Sequence, residues 1–131
     1  MDELPIQSGD DVVRVRQQVR NVAAQNGLSL VEQTKLVTAA SELARNTLVH
    51  GGGGVASIEV VKTANGRAGV KLHFSDKGPG IADIDLALTD GWTTGTGLGL
   101  GLSGARRLVD EFELNSKPGA GTSVVVVKWS R

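Results

Sequence analysis

Two polar side chains and a cluster of glycines are the residues in this sequence whose types and spacing suit chemistry. Glu42 and Asn46 stand four residues apart, and eight of the 18 glycines fall between Gly78 and Gly104. Such a density weakens helices and strands, so it indicates backbone geometry that side chains would forbid. Glycines can turn successive N–H groups toward phosphate oxygens, while a carboxylate and an amide oxygen suit a hard cation and a proton acceptor. The combination predicts a site for a phosphate-bearing ligand.

Three common nucleotide-binding motifs do not fit the glycine series. Gly99, Gly101 and Gly104 satisfy the G-x-G-x-x-G spacing of a Rossmann site, but polar residues 89–96 precede them where a buried strand is required. Residues 124–127 are apolar where that motif expects an acidic residue about 20 positions on. No Gly-Lys-Ser/Thr follows as in a Walker A loop, and the downstream lysine and catalytic loop of a protein-kinase glycine loop are absent. All three motifs are therefore excluded.

Two helices must position the first polar pair. Apolar residues recur at helical spacing over 10–26, and a second helix begins near Ser29, where Glu32 completes a capping box, and runs to about His50. The polar positions of the first helix form either a solvated face or a docking surface: Arg14, Arg16, Gln17 and Arg20.

On the second helix, Glu42 and Asn46 lie one turn apart. At about 100° per residue they project away from the predicted buried stripe, which comprises Leu36, Ala40, Leu43, Ala44 and Thr47. They form either a solvated polar face or a functional pair. The four glycines at 51–54 exceed what a helix C-cap requires, so the backbone there is either mobile or closely approached by another part of the chain.

The strands are predicted from alternation and turn signals. Asp76 comes where the second long strand ends, which makes it a candidate site residue. The strands are expected at 3–7 as an edge strand, at 55–63 and 68–75 as a hairpin turning at Asn65-Gly66, around 112–114, and at 122–129. Between the two hairpins the sequence predicts helical turns over 83–88, an aperiodic lid within 81–94, and a helix over 98–109.

These elements predict a single α+β domain spanning residues 1–131, a two-layer sandwich whose largely antiparallel sheet has a second face partly exposed or used by a partner. The formal net charge is zero, which argues against nonspecific binding to nucleic acid. Cysteine is absent, and His50 and His73 stand too alone for a metal cluster. No signal peptide or membrane span is recognisable, so a cytoplasmic protein is expected.

Four sequence boxes in order give a family resemblance: residues 41–46, 76–81, 97–112 and 121–122. They resemble the GHKL ATPase/kinase superfamily, whose nucleotide site is the Bergerat fold. Within it, the chain is most similar to the small serine kinases of the bacterial anti-sigma and stressosome switches, of the RsbT type. The resemblance covers nearly the whole chain. It implies a mixed, mostly antiparallel sheet with helices on one face.

The resemblance also implies site residues. Asn46 matches the residue whose amide oxygen binds Mg²⁺, and Glu42 matches the acid that orients or deprotonates the attacking hydroxyl or water. Asp76 matches the adenine reader, and the alternative is a turn aspartate that satisfies its own backbone. Thr122 matches a hydroxyl that supports the adenine contact through water, or is an ordinary strand threonine. The remaining cofactor-binding positions are Gly78 and Gly80 beside the base, and Gly95, Thr96, Gly97, Leu98, Gly99, Leu100 and Gly101 at the phosphates.

The activity implied is an ATP- and Mg²⁺-dependent protein kinase acting on serine, with threonine as an alternative. Its substrate would be a STAS-domain antagonist in a partner-switching pathway, and its release would activate a phosphatase; the chain would be a monomer or a homodimer. Two alternatives stay open: an anti-sigma factor that sequesters a sigma factor, and a nucleotide-stabilised binding switch with little catalysis. The second is kept open because residues 89–96 contain no arginine to approach the terminal phosphate.

Overall fold

The structure, a computed structural model, describes residues 2–80 and 101–130. The strands are β1 (Asp2–Ile6), β2 (Gly54–Lys62), β3 (Ala68–Asp76), β4 (Glu111–Ser116) and β5 (Thr122–Trp129). The helices are α1 (Gly9–Gln25), α2 (Leu30–Val49) and α3 (Gly101–Leu108). The predicted helical turns over 83–88, the lid within 81–94 and the first part of the helix predicted over 98–109 lie outside the described residues.

The five strands form one sheet in the order β1-β2-β3-β5-β4, and every pairing described is antiparallel. This confirms the predicted α+β sandwich, although no parallel pair of the expected mixed sheet occurs among the described strands. The predicted edge strand is also confirmed as β1, where Pro5 removes no central ladder bond. Because side chains alternate along a strand, one face of the sheet carries the buried residues Ile58, Leu72, Phe74 and Val126.

Both long helices begin at side-chain caps, as their sequences favour. Ser29 Oγ accepts the backbone N–H of Glu32 at 3.2 Å, and Glu32 Oε1 accepts that of Ser29 at 2.9 Å, which completes the predicted capping box. At the start of α1, the side chain of Asp11 accepts the backbone N–H of Gln7 at 2.8 Å. That bond, with help from the Arg14 guanidinium, holds the pKa of Asp11 below its ordinary value of 3.8.

The helices cover the apolar face of the sheet, with α2 at the centre of the layer. Its predicted stripe is buried, including Leu36, Leu43 and Thr47. It packs against strands β1, β2, β3 and β5, against α1 and against α3. Since α3 contacts α2, its first residue, Gly101, comes close to the polar side chain of Glu42 on α2. No helix in the part of the chain described is long and apolar enough to cross a membrane.

Candidate functional site

Asp76 is the last residue of β3 and is held by backbone donors from two other segments. Its Oδ1 accepts the N–H of Gly78 at 2.9 Å and the N–H of Thr122, at the start of β5, at 3.2 Å. The first bond is the local turn contact that an aspartate commonly makes. Within residues 2–80 and 101–130, no hydrogen bond to the other oxygen, Oδ2, is recorded. The carboxylate is thus fixed in orientation through one oxygen and keeps acceptor capacity on the other.

Three glycines pack so closely around Asp76 that side chains would not fit. A Cβ on Gly51 would overlap the carboxyl group of Asp76, and a Cβ on Gly121 would overlap its carbonyl oxygen. Gly121 also has φ +81°, which favours glycine. A Cβ on Gly78 would lie 2.7 Å from the Cα of Gly51. Of the two alternatives for glycines 51–54, close approach by another part of the chain therefore applies at Gly51. The sequence alone does not reveal that the approaching residue is Asp76.

Thr122 is buried beside Asp76, and its hydroxyl has a partner that the sequence analysis missed. Thr122 Oγ1 lies 2.9 Å from Ser116 Oγ, which itself donates to the carbonyl oxygen of Gly121 at 3.0 Å. Because a serine hydroxyl carries one proton, Thr122 is the donor in the bond between the two hydroxyls. Its oxygen therefore retains acceptor capacity for a further donor such as water. Ser116 faces Thr122 in the pairing of β4 with β5, so only the strand register identifies it.

Space for a ligand borders Asp76 on two sides. One cavity of 380 Å³ includes Asp76, Ser116 and Thr122 in its wall, and another of 510 Å³ includes Gly51 and Asp76. Both volumes fall in the range usual for small-molecule sites. Gly80, the remaining residue predicted beside the base, packs against the β4–β5 turn, where its Cβ would overlap the carbonyl oxygen of Lys117.

Glu42 and Asn46 are half-buried on α2. Glu42 Oε2 accepts the backbone N–H of Gly101 at 3.3 Å, and Gly101 is the first residue of α3. Glu42 therefore faces the helix that follows the glycine series, and the solvated-face alternative does not describe it. Across the described ranges, no hydrogen bond is recorded for the side chain of Asn46, so its amide oxygen is available to a ligand.

The two halves of the site are joined through the backbone at the end of α2. The carbonyl oxygen of Asn46 accepts the N–H of His50 at 2.9 Å and that of Gly51 at 3.3 Å. Gly51 in turn packs on Asp76. Of the predicted phosphate-binding residues 95–101, only Gly101 is described; Gly95, Thr96, Gly97, Leu98, Gly99 and Leu100 lie outside the described residues.

The comparison with protein families decides what kind of domain this is. Residues 31–130 match the family of histidine kinase-, DNA gyrase B-, and HSP90-like ATPases. The chain belongs to this ATPase family. The match covers α2, the strands that bear Asp76 and Thr122, and α3, and it confirms the GHKL resemblance.

Relatives of this GHKL domain include a kinase and anti-sigma factors. The serine/threonine-protein kinase RsbT of Bacillus subtilis (strain 168) is 47% identical over 121 residues, which are 92% of this chain and 90% of RsbT. An anti-sigma F factor of Thermoanaerobacter sp. (strain X514) is 31% identical over 110 residues, covering 82% of this chain and 77% of that protein. The likeness to RsbT supports the kinase class predicted from the sequence.

Solved structures agree on the GHKL fold. The RsbU and RsbW domains of a Mycobacterium tuberculosis protein superpose with a TM-score of 0.62 at 22% identity. The superposition covers 100% of this chain and 33% of that chain. The mycobacterial sensor histidine kinase MprB gives a TM-score of 0.59 at 16% identity, covering 99% of this chain and 97% of the other. The present chain thus spans about a third of the first of these proteins.

Proposed function

We propose that this GHKL domain is an ATP- and Mg²⁺-dependent protein kinase that transfers phosphate to serine, with threonine as the alternative acceptor. The observation that carries the proposal is the link from Asn46 through Gly51 to Asp76, which joins two separate sequence boxes in one site. The contact of Glu42 with Gly101 adds the third box.

Adenine recognition is assigned to the Asp76 end of the site. Asp76 Oδ2, to which no donor in residues 2–80 or 101–130 is bonded, can accept a hydrogen bond from the exocyclic amine of adenine, whereas guanine presents a carbonyl oxygen at the equivalent position and would be repelled. Thr122 has an oxygen lone pair available to hold a water against the base. Gly78 and Gly80 let the chain pass beside the base without side chains in the way.

Phosphate and metal binding is assigned to the entrance of α3 and to Asn46. The glycine-rich composition of 95–101 and the positive N-terminal end of α3 favour phosphate oxygens, and in this structure the N–H of Gly101 donates to Glu42. The amide oxygen of Asn46, for which the described residues supply no hydrogen-bond donor, is a hard donor that fits Mg²⁺, which commonly takes only one or two protein oxygens. When bound, Mg²⁺ would supply neutralisation of phosphate charge.

Glu42 is assigned to the acceptor hydroxyl. A carboxylate that orients the hydroxyl and takes its proton typically contributes about 10²- to 10⁴-fold in rate. The Gly101 N–H holds the Glu42 carboxylate at the start of α3, next to the proposed phosphate site. This contact supports a role for Glu42 between the proposed phosphate site and an approaching acceptor.

The proposed substrates are STAS-domain proteins of a cytoplasmic partner-switching pathway, with a phosphatase as the partner activated after release. The 47% identity to the serine/threonine-protein kinase RsbT supports a protein hydroxyl as the acceptor, and the STAS and phosphatase partners rest on the family resemblance. The 31% identity to an anti-sigma F factor favours one alternative, sequestration of a sigma factor. Direct binding of a sigma subunit without phosphorylation of STAS proteins would favour that alternative, and nucleotide binding without any transfer would favour a binding switch.

The kinase proposal is tested by transfer of labelled phosphate from Mg-ATP to candidate STAS-domain proteins. We expect Glu42→Ala to abolish most transfer while retaining ATP binding, and Asp76→Asn to weaken ATP binding. Glu59→Ala is the matched control, because Glu59 is an exposed glutamate of β2. Transfer that both site variants leave unchanged would contradict the assignment of the site.

A further inference from the structure

A groove between α1 and α2 lies outside the nucleotide site and has a different chemical character. It encloses 220 Å³ and is lined by Val13, Arg16, Gln17, Arg20, Asn21 and Val37. None of these residues belongs to the cluster around Asp76 or to the Glu42–Asn46 pair. This volume is below the range usual for small-molecule sites.

The groove has apolar walls that solvent reaches. Val37 is buried at 6% exposure, while Val13 on the facing helix is 44% exposed. Leu30 and Val31, in the first turn of the same helix, are 70% and 64% exposed but are not among the residues that line the groove. Single exposed apolar residues are ordinary, so the apolar wall of the groove consists of Val13 and Val37.

The lining of the groove is positive and carries no acidic side chain. Arg16 and Arg20 are four residues apart and so project from the same face of α1. Both are exposed, and in the ranges described no ion pair or hydrogen bond is recorded for either. Arg14, by contrast, is engaged by Asp11 at 2.6 Å. A chain with zero formal net charge therefore presents a local positive surface here.

We propose that the groove between α1 and α2 docks an acidic amphipathic helix of a partner protein. Apolar residues of such a helix fill the space between Val13 and Val37, in the helix-in-groove mode of recognition. Its carboxylates meet Arg16 and Arg20, whose guanidinium groups bind carboxylates in a bidentate manner. The interface is distinct from the cleft in which phosphate is transferred, so it holds a partner without blocking Glu42.

The test uses two synthetic helical peptides that share one leucine stripe, flanked by glutamates in the first and by lysines in the second. Calorimetry at low salt should give affinity at least about tenfold higher for the glutamate peptide, because like charges oppose the lysine peptide. Amide shifts of the isotope-labelled protein should centre on Val13, Arg16 and Val37. Arg16→Glu with Arg20→Glu should remove the preference, whereas Lys62→Glu, an exposed charge reversal on β2, should keep it.

Equal affinity for the two peptides, binding to neither, or amide shifts centred elsewhere would overturn the proposal. Self-association of the protein that is lost in the Val13→Asp variant would also overturn it, because the groove would then bind a second copy of the chain. A third contrary outcome is that the protein binds phosphatidylserine vesicles but not the glutamate peptide, and that the double arginine variant loses the vesicle binding. The surface would then bind a membrane instead of a helix. ATP affinity of each variant is measured in parallel, so failure here is separable from failure of the kinase proposal.

Discussion

The two ends of the candidate site are built in different ways. At one end, two backbone N–H groups and three closely packed glycines hold Asp76. At the other, Glu42 has a single bond of 3.3 Å to Gly101, and no hydrogen bond is recorded for the Asn46 side chain in the described part of the protein. The backbone thus fixes the end assigned to base recognition, whereas the side chains assigned to metal and acceptor have fewer hydrogen bonds within the described residues. Substitutions at the two ends should therefore have separable effects.

The largest effect is expected from Glu42→Gln. The amide retains an oxygen for the Gly101 N–H but cannot accept a proton, so the turnover rate of phosphotransfer should fall about 10²- to 10⁴-fold. ATP affinity should change little, because the Asp76 end is intact. Initial rates and calorimetry on the same preparation check both. A rate close to that of the unaltered protein would remove Glu42 from the chemistry.

Asp76→Asn should give the next largest effect, on affinity. Asparagine keeps an oxygen for the two backbone donors, so the fold should persist, but the negative charge facing the base is lost. Hydrogen bonds to charged groups are worth about 1.5–3 kcal/mol, so we expect ATP affinity to fall roughly tenfold to a hundredfold. Calorimetry measures the affinity, and thermal unfolding without nucleotide is the control. An unchanged ATP affinity would mean that the Asp76 end does not bind the base, and the expected difference between the two ends of the site would be wrong.

Gly51→Ala sharpens the comparison because it acts on Asp76 only through packing. The added methyl overlaps the Asp76 carboxyl group, which must move. We expect a loss of about 1–3 kcal/mol in the free energy of unfolding, typical of overpacking, together with weaker ATP binding. Gly9→Ala is the matched control, since a Cβ there meets nothing within 4 Å. If the two variants behave alike in denaturant unfolding and calorimetry, the close packing of Gly51 on Asp76 does not contribute to stability or to ATP binding.

The smallest effect should come from Ser29→Ala, which removes the cap of α2 at the end remote from the site. Loss of such a cap costs about 1 kcal/mol in the free energy of unfolding. ATP affinity and turnover should stay unchanged under folding conditions, because neither end of the site contacts Ser29. Urea unfolding together with phosphotransfer rates would show this, and a selective loss of turnover would mean that the cap positions Glu42.

Local signals made parts of the structure predictable from the sequence. Ser29 with Glu32 predicted the start of α2, and Asn65-Gly66 predicted the β2–β3 hairpin, because caps and turns depend on neighbouring residues. The resemblance placed Asp76 and Thr122 in one site, and the structure brings them together.

Long-range register accounts for what the sequence did not reveal. Gly51 meets Asp76 because β2 and β3 pair so that Gly54 is opposite Asp76. The position of β5 between β3 and β4 likewise depends on pairing between distant segments. Glu42 and Gly101 are 59 residues apart in the chain, and periodicity on α2 gave no sign that α3 would cover that face. These contacts depend on packing between elements.

Nucleotide selectivity tests most directly whether the Asp76 end of the site reads adenine. Calorimetric titration of the unaltered protein with Mg-ATP and, separately, with Mg-GTP compares bases on identical phosphates. We predict that ATP binds at least about tenfold more tightly, because guanine would leave the Asp76 carboxylate facing a carbonyl oxygen. Equal affinity for the two nucleotides would contradict the account.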